Sequence, residues 1–93
     1  MRLSWRERAL DDVENLRDYI AADNSFYAKI FVNKIIEIAE KLIDFPKMGR
    51  IVPEYGNDDI REILYRDYRI IYEILNGEIY IITVIHGSRR LDL

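Results

Sequence analysis

Ninety-three residues allow one domain, because a chain this short cannot divide its apolar residues between two cores. Hydrophobic residues make up 49% and charged residues 33%, which excludes a disordered chain, and the absence of cysteine excludes disulfides and thiolate metal sites. Net charge is −3, from 14 Lys+Arg against 17 Asp+Glu; the basic excess that proteins use to neutralise phosphates is missing, which argues against extensive nucleic-acid binding.

Arg2 to Trp5 alternates in polarity and suits a short opening strand. Arg2, Arg6, Glu7 and Arg8 leave no room for a secretory signal, and the longest apolar run, Ile79 to Ile85, is too short to span a bilayer. A cytoplasmic protein is expected. From Arg6 the period becomes helical, with Leu10, Val13, Leu16 and Ile20 on one face and Asp11, Asp12, Glu14, Arg17 and Asp18 on the other. Asp23-Asn24-Ser25 then supplies a turn and an N-cap. The second helix repeats Phe31, Ile35, Ile38, Leu42 and Phe45, and Pro46 closes it.

Pro46 to Asp59 holds both prolines and two of the four glycines and reads as a loop. Three β-rich runs follow, Ile60 to Tyr65, Tyr68 to Leu75 and Glu78 to His86. Asn76-Gly77 predicts a two-residue hairpin turn that sets Leu75 against Glu78, Glu73 against Tyr80, Ile71 against Ile82 and Arg69 against Val84. This register sorts Tyr68, Ile70, Tyr72, Ile74, Ile79, Ile81, Thr83 and Ile85 onto the face the helices cover. Arg69, Ile71, Glu73, Tyr80, Ile82, Val84 and His86 fall on the other, where a site on the sheet belongs. The expected fold is α+β, ordered β-α-α-β-β-β over residues 1–93, with a helical hairpin on one face of a mainly antiparallel sheet.

Tyr68-Arg69-Ile70-Ile71-Tyr72-Glu73-Ile74, followed by Val84-Ile85-His86-Gly87-Ser88-Arg89, resembles the central signature of RelE/ParE toxins. Phe45-Pro46-Lys47-Met48-Gly49-Arg50 and Ile60-Arg61-Glu62-Ile63 resemble that family's connection into its sheet. The resemblance implies the toxin of a type II toxin–antitoxin (plasmid-stabilisation) system, neutralised by a cognate antitoxin that wraps it. RelE-like members cut mRNA on the ribosome through the ribose 2′-hydroxyl; ParE-like members are not nucleases and poison DNA gyrase.

Cutting RNA this way needs a base, an acid and cations on the phosphate. Arg69 and Arg89 match two RelE-type arginines, but Ile60 and Glu62 stand where a lysine pair is required, and the C-terminal tyrosine is missing. A second nuclease subtype uses glutamate, arginine and histidine; Glu54, Arg69 and His86 could imitate it, with Arg69 and His86 diagonal neighbours on one sheet face. Against this, Arg69 equally suits a structural role, a strand-ending histidine is more often structural, and Tyr68 and Tyr72 suit core packing better than base stacking. The reading placed first is a ParE-like inhibitor of gyrase, without metal or cofactor, binding its target through Arg61, Arg69, His86 and Arg89. An mRNA endonuclease comes second and a non-toxic antitoxin-binding protein third. Ile30, Val32, Ile36 and Ile43 lie off the main stripe of the second helix, and this apolar surplus is the expected antitoxin surface; a wider core contact explains it equally well.

Overall fold

The computed structural model describes residues 1–93. β1 (Arg2–Trp5) leads into α1 (Glu7–Ala21) and α2 (Ser25–Lys41), and four strands follow: β2 (Arg50–Ile51), β3 (Ile60–Tyr65), β4 (Tyr68–Leu75) and β5 (Glu78–His86). They form one five-stranded sheet in the order β1-β5-β4-β3-β2, antiparallel except where β1 runs parallel to β5. β2 is the one element the sequence hides. Two residues inside a proline- and glycine-bearing loop make no periodic pattern, yet they pair with Arg61 and Glu62.

Asn24 is the N-cap of α2, its side chain accepting from the Tyr27 amide at 2.9 Å. The hairpin turn also forms as the residues demand, with Asn76 at φ +51 and Gly77 at φ +74. The inward stripes differ at two places. Ala9, fully buried, takes the position expected of Leu10, which is 54% exposed; Val13, Leu16 and Ile20 pack inward. Phe45 lies beyond the helix end, where the 3.6-residue period no longer holds, and is exposed. The main core sets Phe31, Ile35, Ile38 and Leu42 against Ile70, Tyr72, Ile79, Ile81 and Val84. No helix is long and apolar enough to cross a membrane.

The register departs from expectation halfway up the hairpin. Leu75 opposes Glu78 and Glu73 opposes Tyr80, but Ile71 opposes Thr83 and Arg69 opposes Ile85, because a β-bulge inserts Ile82 as an extra residue. Beyond the bulge the alternation of β5 is inverted relative to β4. Val84 joins the helix-covered core, Ile85 moves to the opposite face, and His86 opposes Tyr68 instead of sharing a face with Arg69. Asp12 of α1 secures the irregular backbone, accepting from the Val84 amide at 3.0 Å and from the Thr83 hydroxyl.

The second sheet face is covered as well. Leu91, 4% exposed, packs with Val52, Ile71 and Ile85 in a smaller core, so the C-terminal segment lies across this face. The Leu93 amide donates to the Tyr55 hydroxyl at 2.8 Å, and Arg8 donates to the Asp92 carbonyl at 3.0 Å.

Candidate functional site

At the β3–β4 turn a pocket of about 370 Å³ is lined by Arg50, Glu54, Arg66, Arg69, His86 and Ser88, among others. Three of the residues singled out in the sequence, Glu54, Arg69 and His86, therefore meet at one pocket. Arg61 and Arg89 lie outside it.

Arg69 forms its floor and is almost fully buried. Its Nη1 and Nη2 donate to the two carboxylate oxygens of Glu54 at 2.7 and 2.8 Å, and its Nε donates to Glu62 at 2.6 Å. The second oxygen of Glu62, a side chain with no exposure, accepts from Arg50 at 2.7 Å. Two arginines and two glutamates thus form a neutral chain, Arg50–Glu62–Arg69–Glu54, with each of the three guanidinium nitrogens of Arg69 bonded to a protein carboxylate. The role of Glu62 is not marked in the sequence, where it follows Arg61 in the strand and reads as one of a surface pair; it is buried instead.

The same pairing decides what Glu54 can do. The hydrogen bond from Arg69 holds its carboxyl at about 2, well below the ordinary 4.5, so at neutral pH it is a poor proton acceptor. Reciprocally, Glu54 and then Glu62 raise the pKa of Arg69. Because the folded value of Glu54 is depressed, its contribution to stability is complete above the unfolded value near 4.5 and is lost as pH falls toward 2. Glu54→Gln is therefore expected to flatten the dependence of stability on pH across that window while lowering stability at pH 7; denaturant titrations between pH 2 and 7 measure both.

His86 is exposed, and its Nδ1 accepts from the Ser88 amide at 3.1 Å and lies 2.7 Å from the Ser88 hydroxyl. That network assigns the neutral ring its proton at Nε2, so the ring offers a donor rather than a base to the pocket. Its ring meets Tyr68 edge-on at 5.6 Å. Arg61 holds the preceding loop, donating to the carbonyls of Gly49 and Asp58 and to the Asp58 carboxylate, each at 2.9 Å. Arg89 is exposed, and its amide donates to the His86 carbonyl at 3.0 Å.

A second concavity, about 380 Å³, lies between the helices and is lined by Trp5, Leu10, Val13, Val32 and Ile36, with Glu14 and Arg17 on its rim. Two of the four residues expected at an antitoxin surface, Val32 and Ile36, are in this groove. Ile30 and Ile43, 44% and 36% exposed, lie outside it.

Residues 3–91 match the profile of the ParE toxin of type II toxin–antitoxin system, parDE. The chain belongs to the ParE toxin family. Toxin RelE2 of Caulobacter vibrioides is similar to this ParE-family toxin, with 28% identity over 86 residues, 91% of this chain and 93% of the relative. Among solved structures, one of the chromosomal ParDE toxin–antitoxin system of P. aeruginosa superposes with a TM-score of 0.77 over 95% of this chain and 97% of that one, at 22% identity. The isolated E. coli RelE toxin superposes with a TM-score of 0.61 over 96% and 86%, at 21% identity. The last two likenesses show the shared fold. As a ParE-family member, the chain is the toxin of a type II pair within the RelE/ParE superfamily, with a cognate antitoxin as its implied partner.

Proposed function

We propose that this ParE-family toxin acts in the cytoplasm by binding and inhibiting DNA gyrase, not by cutting RNA. The observation that carries the reading is the closed chain Arg50–Glu62–Arg69–Glu54. A phosphate bound in this pocket would compete for Arg69 with two carboxylates that already bond all three of its guanidinium nitrogens. Glu54 is held ionised near pH 7, and the Nδ1 lone pair of His86 is taken by Ser88, so the pocket presents no free base. His86, exposed at the pocket, and Arg89, exposed outside it, suit contacts with a protein target.

The cognate antitoxin lays an amphipathic helix in the groove between α1 and α2, its apolar side on Val13, Val32 and Ile36. Ile43, seven residues on from Ile36, prolongs that surface just beyond α2, whereas Ile30 projects from a different side of the helix.

Inducing the toxin in cells without antitoxin tests the target. DNA breaks with SOS induction within minutes, and intact mRNA, are the expected result. Ribosome-dependent mRNA cleavage without breaks would overturn the reading.

A further inference from the structure

Where the α1–α2 turn meets the β3–β4 turn, four tyrosines gather around one arginine. Arg66 opens the two-residue turn Arg66-Asp67 and has φ +51. Glycine and asparagine suit that position, because a side chain at positive φ crowds its own backbone. The Arg66 guanidinium lies 5.5 Å from the centre of the Tyr27 ring and 5.7 Å from that of Tyr65. Its Nε donates to the Tyr65 hydroxyl at 3.3 Å, leaving Nη1 and Nη2 free, and no carboxylate stands within ion-pair distance.

The rings beneath are braced. Phe31, fully buried, meets Tyr65 at 5.9 Å and Tyr68 at 5.1 Å. Tyr19 is 77% exposed and lines one hollow with Tyr27 at the α1–α2 turn. A rigid aromatic shelf thus carries an unpaired, strained arginine whose fork points outward from protein acceptors. Tyrosine and arginine are enriched among the residues that carry binding energy at protein interfaces, tyrosine for its large contact area at small entropic cost and arginine for its planar charged fork.

We propose that this tyrosine–arginine shelf, Tyr19, Tyr27, Tyr65, Arg66 and Tyr68, docks an acidic segment of the toxin's protein target. The free Nη pair matches a carboxylate in the bidentate geometry that guanidinium favours, and stacking on Tyr27 and Tyr65 fixes its direction before the partner arrives. Single-stranded nucleic acid could also use rings and an arginine. The net charge of −3, with Asp67 and Asp23 on the margins of the shelf, opposes a polyanion but tolerates one carboxylate. The shelf shares no residue with the Trp5–Ile36 groove, so target and antitoxin surfaces are separable by mutation. The inference rests on the proposed function only in taking the toxin to act by binding a protein.

Arg66→Asn is the discriminating variant, because asparagine accepts positive φ better than arginine does. Induced without antitoxin, it is expected to lose killing by about tenfold or more in surviving colonies, as a lost hot-spot arginine would, while its Tm is unchanged or higher. Arg66→Glu should lose killing equally. Undiminished killing by Arg66→Asn, a loss that appears only together with a lowered Tm, or a wild-type chain that kills nothing would each overturn the proposal. So would Arg66-dependent binding of a single-stranded RNA oligonucleotide by the purified chain. Arg66-dependent killing without SOS induction would uphold the shelf and reject gyrase.

Discussion

Arg69→Leu is expected to lower the unfolding free energy by about 3–5 kcal/mol, the usual cost of removing one member of a buried ion pair. The substitution leaves Glu62, which has no solvent exposure, with only the half-exposed Arg50, and leaves Glu54 with no cation. A domain of this size holds roughly 5–15 kcal/mol in total, so the loss is a large part of its stability. Urea denaturation should show a lower midpoint with an unchanged slope. Adding Glu62→Leu should restore part of the loss, because the second change removes the stranded charge, and the two effects will not add. A shift in the single variant below about 1 kcal/mol would mean that the network is worth no more than an exposed pair. The expectation also governs how activity assays are read. An Arg69 variant that fails to kill cells reports an unfolded toxin before it reports a missing catalytic group.

Phe31→Ala should cost about 3–5 kcal/mol, since it empties a fully buried site between α2 and the sheet that cannot collapse without moving a helix. The same ring is the floor under Tyr65 and Tyr68. Near-ultraviolet circular dichroism from the tyrosines is therefore expected to weaken in Phe31→Leu, where most of the core volume is kept and the aromatic brace is lost. An unaltered tyrosine signal in that variant would mean the shelf is held by its own turn rather than from below.

The strands were readable from sequence because their causes are local. Asn76-Gly77 fixes a turn, and Ile60–Tyr65, Tyr68–Leu75 and Glu78–His86 begin and end where sequence patterning places them. The faces reverse at the bulge at Ile82, beside which Thr83 and Val84 are held by Asp12 of α1, a carboxylate 71 residues before Thr83 in the chain. No window of β5 contains that information. The candidate site divides the same way. Resemblance picked out Glu54, Arg69 and His86, and they do share a pocket; that Glu54 and Glu62 neutralise Arg69 instead of working beside it depends on side-chain geometry across three segments. Arg66 gave no signal at all. An arginine in a turn reads as ordinary solvated charge until its positive φ and its tyrosine neighbours are known.

The parallel pairing of β1 with β5 sets a timetable for synthesis. Arg2 to Trp5 are made 76 positions before their partners, Glu78 to Ile81, a gap of roughly 4–15 s at usual translation rates of about 5–20 residues per second. Until then the inward face of α1 and α2 has no sheet to cover it, because Ile79, Ile81 and Val84 supply much of that surface. A nascent toxin is therefore without its final fold until β5 has been made, and whatever meets it earlier meets a helical hairpin with no sheet beneath it.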